Sequence, residues 1–273
     1  FMLFFVAAAQ FGIFFTTIMA RALGFSLKEA VSIGIIGAAD GPTSIYVANL
    51  FAGNLLGPIT VAAYSYMSLV PLIQPPVIKA LTTPEERKIG MDLNLCKVSK
   101  TTKILFPIIV TAVAGIIAPL SVALIGSLMF GNLIRECGVL DKLSKAAQNE
   151  LSNLVTLLLG ITIGSTMVAE NFLTIKTLMI LGMGLVAFIF DTAGGVLFAK
   201  LLNLFLPTKI NPMIGAAGIS AFPMSARVIQ KMAQKESPGN FILMQAVGAN
   251  VAGQVGSILA GGVLIYLVSS MAF

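Results

Sequence analysis

The sequence predicts an all-α, polytopic helical membrane protein that contains two pseudo-repeats, each with a broken helix. Of its 273 residues, 57% are hydrophobic and only 10% are charged, and the mean hydropathy is +0.97. This composition is typical of helical membrane proteins and excludes a soluble globular domain. A transmembrane helix needs about 20 mainly apolar residues, so the chain has room for roughly eight or nine complete or partial spans.

The first interruption of an apolar region lies at residues 34–44, with the sequence GIIGAADGPTS. Pro42 lacks an N–H group and follows Gly41, so a helix that enters from Val31 should break near Asp40. Irregular backbone at membrane depth is tolerated only inside protein or beside a watery cavity. Free carbonyl groups beside a carboxylate suit a small hard cation, as in the discontinuous helices of sodium-coupled transporters.

The second interruption, at residues 211–227, repeats part of the first. The tetrapeptide Ile-Gly-Ala-Ala occurs at 36–39 and at 214–217, followed by Asp40 and Gly218 respectively. After each interruption, a Pro/Gly break precedes another apolar span. Two such units in corresponding positions indicate the central site of a transporter.

These features divide the chain into four segments. Residues 1–30 hold an N-terminal span that belongs to an incomplete scaffold, and residues 31–103 hold the first broken-helix repeat and a basic loop. Residues 104–206 form connecting spans, and residues 207–273 hold the second broken-helix repeat. The positive-inside rule places the basic loop in the cytoplasm.

Two of the connecting spans contain helix-breaking residues. Pro119 splits the apolar residues 104–133, which form either one kinked helix or a tight hairpin. In the next long helix, 173–206, the glycines of DTAGG at 191–195 predict an interruption.

Asp40 is the first candidate for ion binding. A charged side chain inside the membrane costs roughly 2.5–3.5 kcal/mol on insertion scales, so such residues are usually functional. Asp40 would be a sodium ligand, or a proton acceptor when the ion leaves. The alternative is an aspartate that caps the following helix and faces water.

Two tyrosines lie in the span after the first interruption. Tyr66 is the stronger candidate and Tyr64 the weaker one, because a phenol offers an oxygen to a cation and carries a titratable proton. The alternative is that both are aromatic residues at the membrane interface.

The second interruption adds further oxygen atoms. Asn211, Gly215 and Ser220 offer amide, backbone carbonyl and hydroxyl oxygens, which suit a hard cation. Caps and turns are the alternative role. Asn250, in the Gly/Ala-rich helix that follows, is either a further ligand or part of a close helix contact.

Arg227 is the basic residue that follows the second interruption. Its guanidinium stays charged and can hold a carboxylate through two hydrogen bonds, whereas the alternative is a snorkelling interfacial arginine. The acids Asp191 and Glu170 serve either structural pairing or a proton route.

The composition also restricts cofactors and partners. The chain has no histidine, and we interpret its two cysteines, Cys96 and Cys137, as structural, so we expect Na⁺ and no transition metal. The net charge of +6 is concentrated in loops, which favours membrane topology over nucleic-acid binding.

Several long strings resemble one family. GIIGAADGPTSIYVA, VAAYSYMSLVPLIQPP, NPMIGAAGISAFPMSARV and FDTAGGVLFAKL are similar to the membrane beta subunit of the biotin-dependent sodium-pumping decarboxylases. That family includes oxaloacetate, methylmalonyl-CoA, glutaconyl-CoA and malonate decarboxylases. The resemblance covers essentially the whole chain. Family members carry additional N-terminal membrane segments, so we expect that this chain is truncated at its N-terminus.

The resemblance implies a division of labour in the bacterial cytoplasmic membrane. A carboxyltransferase subunit moves a carboxyl group onto biotin on a carrier domain, and a small membrane subunit completes the complex. The beta subunit, an elevator-like homotrimer, decarboxylates the carboxybiotin that its partner presents, exports Na⁺ and consumes a proton. The residues that match functional positions of the family are Asp40, Tyr66, Asn211, Gly215, Ser220 and Arg227.

Two other functions compete with this interpretation. A sodium-coupled carboxylate transporter that breaks no bond would show the same broken helices and the same repeat. A non-catalytic membrane scaffold would not need a charged residue between two helix breaks. The identity of the decarboxylated acid and the sodium stoichiometry are not encoded in these motifs.

Overall fold

The computed structural model describes residues 10–91, 98–117, 119–169, 173–221 and 223–271. All regular elements in these ranges are helical, which confirms the predicted all-α class. Three stretches of the described chain are long and apolar enough to cross a membrane, namely Gly53–Leu81, Ile175–Leu202 and Leu243–Ser270. The elevator architecture and the equivalence of the two repeats stay predictions.

The chain divides into two units. One contains the described parts of residues 1–93 and 174–257, and the other those of 94–173 and 258–273. Both interruptions lie in the first unit. The four-segment division made from the sequence stays a prediction.

The first unit begins with short helices around the first interruption. Its elements are α1 (Phe11–Ala22), α2 (Leu27–Gly34), a 3-10 turn (Ile35–Ala38), α3 (Gly41–Phe51), a second 3-10 turn (Gly53–Leu55), α4 (Leu56–Leu81) and α5 (Pro84–Arg87). Ser26 and Glu29 form a capping box at the start of α2, with N···O distances of 2.9 and 3.3 Å.

The second unit contains a helical hairpin. Its elements are α6 (Lys100–Ile117), a 3-10 turn (Pro119–Ser121), α7 (Val122–Cys137), α8 (Asp141–Ala146), a π-helical turn (Ala147–Leu151) and α9 (Ser152–Thr166). Lys103, at the start of α6, forms a 3.2 Å ion pair with Glu136, at the end of α7. The chain therefore turns back at Pro119, and the hairpin is the correct alternative. Cys96 and Glu170 lie outside the described residues.

The chain returns to the first unit with a long helix and the second interruption. The elements are α10 (Ile175–Leu202), a 3-10 segment (Pro212–Gly218), α11 (Met224–Glu236) and α12 (Leu243–Ser270), of which α12 extends into the second unit. The predicted interruption at 191–195 is wrong, because α10 is continuous there. A Cβ atom on Gly195 would collide with the backbone of Gly215, so this glycine permits close packing instead of breaking the helix.

Candidate functional site

The first break, residues 35–40, ends in an unusual backbone conformation. After the 3-10 turn, Ala39 adopts a left-handed conformation with φ of 51°, which a residue with a Cβ atom rarely adopts. Asp40 follows with an extended backbone and is the N-cap of α3. Strain of this kind persists only where surrounding structure enforces it, and it is concentrated at functional sites.

The carboxylate of Asp40 is held by hydroxyl and backbone groups. Its Oδ1 accepts from the Thr43 N–H at 3.3 Å, and its Oδ2 accepts from the Thr43 hydroxyl at 2.9 Å. Only 8% of Asp40 is exposed. The capping role considered from the sequence is therefore present, but the side chain is buried and does not face water.

The two interruptions meet at this carboxylate. The Ser220 N–H donates to the carbonyl of Ala38 at 3.1 Å, and the Ser220 side chain lies near the Asp40 carboxylate. None of the ion pairs among the described residues includes Asp40. Its negative charge is therefore surrounded by dipoles and has no cationic side chain as a partner.

The second break, residues 211–221, has many of its carbonyl groups occupied by side chains. The carbonyl of Ala216 accepts from Gln74 Nε2 at 3.0 Å and from the Ser225 hydroxyl at 3.1 Å. Asn250 Nδ2 donates to the carbonyls of Ala217 and Ile219 at 3.2 and 2.5 Å. The other polar atom of Asn250, Oδ1, is buried and has no hydrogen-bond partner.

Asn211 lies at the start of the second break, away from these contacts. Its amide nitrogen donates to the carbonyls of Arg87 and Ile89 at 3.0 and 2.9 Å, and its Oδ1 accepts from the Met213 N–H. Gly215 packs its backbone against Gly195 of α10. Both residues therefore fix the position of the second break.

The two tyrosines of α4 point to different elements. The Tyr66 hydroxyl donates to the carbonyl of Leu181 in α10, and its ring lies against Gly184. Tyr64 lies instead over Gly41. A Cβ atom added to Gly41 would be 2.8 Å from the Tyr64 hydroxyl oxygen, and the phenol lies close enough to Asp40 to interact with its charge. The structure thus places the weaker candidate from the sequence closer to the carboxylate.

Arg227 lines a basic cavity of about 540 Å³ between α4 and α11. Its lining residues are Pro71, Pro75, Lys79, Met224, Arg227, Val228, Lys231, Met232, Lys235 and Glu236. Glu236 is paired with Arg87 at 2.8 Å, whereas none of the cavity's four basic residues takes part in an ion pair within the described chain. Residues 35–40 and 211–221 do not contribute to this lining, so the cavity and the Asp40 region are distinct.

Two residues at the site were not singled out from the sequence. Thr43 binds Asp40 with both its backbone and its hydroxyl, and the spacing of a helix N-cap and its N3 residue is a signal that could have identified it. Gln74 reaches the second break across 142 residues of sequence, and nothing in its local sequence indicates that contact.

Together, the fold and the site define a helical membrane protein with a buried acidic centre at the junction of two interrupted segments. The family model of the "Na+-transporting oxaloacetate decarboxylase beta subunit" matches residues 1–268. The chain therefore belongs to this family, which confirms the resemblance found in its motifs and its assignment as a membrane protein.

Curated relatives agree with the family match. The methylmalonyl-CoA decarboxylase subunit beta of Propionigenium modestum is 55% identical over 262 residues, which cover 96% of this chain and 66% of the relative. The glutaconyl-CoA decarboxylase subunit beta of Acidaminococcus fermentans is also 55% identical over 262 residues, covering 96% and 70%. The probable oxaloacetate decarboxylase beta chain of Vibrio cholerae is 53% identical over 265 residues, covering 95% and 61%. The chain thus spans about two thirds of the length of these relatives.

Proposed function

We propose that this chain is the membrane subunit of a sodium-pumping decarboxylase in the bacterial inner membrane. It would decarboxylate carboxybiotin and couple the release of CO₂ to Na⁺ export and proton uptake. The observation that carries this proposal is the buried Asp40 carboxylate, which lies where the two breaks meet and lacks a basic partner. A buried charge without a partner is costly, so a transported cation is a suitable counter-charge.

Four side chains would supply oxygen ligands for Na⁺. Asp40 provides the charge, the Thr43 and Ser220 hydroxyls lie beside it, and the unpartnered Oδ1 of Asn250 is the fourth candidate. Hard cations prefer such oxygen ligands. The contacts of Asn250 with Ile219 bring its side chain close to Ser220, the next residue in the chain.

The remaining candidates from the sequence would act less directly. Asn211 and Gly215 would hold the second break in place, and Tyr66 would fix α4 against α10. Tyr64, whose ring covers Gly41, is the better placed phenol for exchange of a proton with the Asp40 site.

The basic cavity would receive the carboxybiotin anion. Arg227, Lys231 and Lys235 follow one another at intervals of four residues along the exposed face of α11, and Lys79 faces them from α4. Such a row of unpaired cations raises the local concentration of an anion. The prolines and methionines of the lining complete the cavity. They offer an apolar surface for a ring system.

The bond-breaking step needs no nucleophile from the protein. The N–CO₂⁻ bond of carboxybiotin breaks, its electron pair stays on the ureido nitrogen, CO₂ leaves and the nitrogen takes up one proton. Transfer of the anion from water into a less hydrated cavity weakens the solvation that stabilises it. Arg227 would guide the carboxylate through two hydrogen bonds. A proton would take the place of Na⁺ at the Asp40 site as the ion leaves, so the charge of that site would change little.

The family suggests the composition of the proposed complex. Besides this chain, the complex would contain a carboxyltransferase subunit, a biotin carrier domain that presents carboxybiotin, and a small membrane subunit. The beta subunit would form a homotrimer in which an elevator-like movement exposes the sodium site to each side of the membrane.

Reconstituted vesicles containing the chain and its partner subunits provide the test. We expect Asp40→Asn to lower both Na⁺-stimulated CO₂ release and ²²Na⁺ uptake by at least about 100-fold, and Arg227→Gln to lower CO₂ release. The exposed residues Asp141 and Lys209 provide matched controls, since Asp141→Asn and Lys209→Gln should leave both rates unchanged. Normal coupled activity in Asp40→Asn would refute the role of this carboxylate.

The same vesicles distinguish the rival function. A sodium-coupled carboxylate transporter would move its substrate without the carrier domain and would release no CO₂. Carrier-independent uptake of a carboxylate, with no Na⁺-dependent decarboxylation, would favour that alternative.

A further inference from the structure

A second buried carboxylate lies behind the first break. Asp191 is in the middle of α10 and is 0% exposed. It is not among the residues that meet at Asp40, and the proposed sodium cycle does not use it. Its position therefore needs a separate explanation.

The carboxyl group is enclosed by two glycines from different elements. A Cβ atom on Gly12 in α1 would be 2.6 Å from both Cγ and Oδ1 of Asp191. A Cβ atom on Gly37, in the 3-10 turn of the first break, would be 2.5 Å from Oδ2. Any side chain at either position would fill the space that the carboxyl group occupies.

The two oxygen atoms of Asp191 have different environments. Oδ1 accepts from the Gly12 N–H at 2.5 Å, so Asp191 caps the start of α1. Oδ2 is buried against Gly37 and has no hydrogen-bond partner. A purely structural cap would explain Oδ1 but leaves Oδ2 unexplained.

Charged groups on the neighbouring elements do not neutralise Asp191. The only charged residue of α1 is Arg21, in its last turn, where it donates to the carbonyl of Phe25. The charged residues of α2, Lys28 and Glu29, lie in its first turn, and the 3-10 turn at 35–38 and the 3-10 segment at 212–218 contain none.

The helix α4 also packs against α10, and its only charged residue is Lys79, which lines the basic cavity. Its two tyrosines contact Leu181 and the Asp40 region, as described above. Within α10 itself, Lys176 and Lys200 lie at the two ends, and Lys200 is paired with Glu86 at 3.1 Å.

We propose that Asp191 is a proton-binding site, in which Oδ2 carries the proton and the neutral acid lies between Gly12 and Gly37. A fully buried carboxylate with one unpartnered oxygen is unstable, and protonation removes the cost of the buried charge. Oδ2 lies against Gly37 and has no hydrogen-bond partner, which suits a neutral acid better than a cation, because a cation would need several oxygen ligands. The proton site itself does not depend on sodium binding at Asp40, whereas its role in coupling rests on the proposed function.

The position of the acid gives it a role in coupling. Gly37 and Asp40 belong to the same break, so ionisation of Asp191 would place a second negative charge behind the turn that presents the first one. The two carboxylates would then disfavour each other's charged forms. Proton occupancy at Asp191 would thereby affect cation occupancy at Asp40.

Infrared spectroscopy of the reconstituted protein at neutral pH tests this proposal directly. A protonated carboxyl group in an apolar site gives a C=O stretching band distinct from that of a carboxylate. We expect this band to disappear in Asp191→Asn and to persist in the exposed control Asp141→Asn. Persistence of the full band in Asp191→Asn would overturn the proposal.

Two further measurements on Asp191→Asn separate a proton from a cation. Asparagine keeps the acceptor for Gly12 and resembles the neutral acid in shape, so we expect the variant to fold with an unchanged Tm and to bind the same number of Na⁺ ions. Loss of one bound Na⁺, or failure to fold, would show that the site needs a carboxylate anion. A failure of the sodium proposal would instead be detected in Asp40→Asn.

Discussion

The two breaks share a tetrapeptide but differ in what surrounds it. In the first, the 3-10 turn Ile35–Ala38 ends at Ala39, whose left-handed backbone turns the chain so that Asp40 caps α3. In the second, the whole tetrapeptide 214–217 lies within the 3-10 segment Pro212–Gly218, and residue 219 is extended.

The partners of the two breaks differ as well. The first break has an acid with hydroxyl and N–H partners, whereas the carbonyls of Ala216, Ala217 and Ile219 in the second are occupied by side-chain amides. The comparison teaches that an interrupted helix does not by itself create an ion site. The proposed ion site also needs a charge without a cationic partner, and among the residues of the two breaks that charge is Asp40.

The largest expected effect concerns the packing of the second break. Gly215→Ala would drive a Cβ atom into the backbone of Gly195, so we expect it to destabilise the protein by about 3 kcal/mol or more, or to prevent folding. Thermal unfolding in detergent measures this effect. Gly182→Ala in α10, where a Cβ atom would meet no atom within 4 Å, is the control and should be tolerated. Normal stability of Gly215→Ala would remove the packing role assigned to this glycine.

We expect a smaller loss of stability when the side-chain amide of Gln74, which holds the second break, is removed. Gln74→Leu removes the donor to the Ala216 carbonyl and the acceptor of the Ser225 hydroxyl, which keep only their hydrogen bond to each other. Loss of these two buried hydrogen bonds should cost about 1–3 kcal/mol. Its apparent affinity for Na⁺ should remain normal. Thr60→Val is the control in α4, because the buried Thr60 hydroxyl has no partner. A weakened Na⁺ affinity with normal stability in Gln74→Leu would contradict our assignment of ion binding to the first break.

A substitution in the first break should instead weaken Na⁺ binding more than it lowers stability. Thr43→Val keeps the backbone N–H contact with Asp40 but removes the hydroxyl, so we expect Na⁺ affinity to fall about 10-fold, or about 1.4 kcal/mol. Thermal stability should change less than in Gln74→Leu. Sodium titration of CO₂ release measures the affinity. The converse result, unchanged affinity with a large loss of stability, would mean that Thr43 only caps α3.

The smallest effect concerns the entry into the first break. The backbone N–H of Ser26 donates to the Glu29 carboxylate and holds the pKa of Glu29 below its ordinary value. The stabilisation is therefore present above the unfolded pKa, about 4.5, and is lost as the pH falls through the folded value. Glu29→Gln should remove this part of the pH dependence, with an effect of about 0.5 kcal/mol or less at this partly exposed position. Unfolding curves between pH 3 and 7 measure it, and an unchanged pH profile would contradict the prediction.

Much of the architecture was predictable from local sequence. The apolar composition predicted a helical membrane protein, the capping box predicted the start of α2, and the Gly-Pro pair predicted the break before α3. These predictions succeed because hydrophobicity, capping and proline sterics depend on residues that are near one another in the chain.

The same local reasoning was wrong at residues 191–195. Glycine both weakens a helix and lets two backbones approach, and only the neighbouring segment decides which property matters. Here Gly215 lies against Gly195, and α10 stays continuous.

By itself, the sequence determined that the chain is an all-helical membrane protein, that it has two interrupted segments, and that it belongs to its family. The tertiary structure decided which polar groups meet. It brought Ser220 to Asp40, turned Tyr64 instead of Tyr66 towards that carboxylate, and enclosed Asp191 between two glycines. The physical reason is that these contacts join residues far apart in the chain, and hydrogen bonding and burial depend on that three-dimensional arrangement.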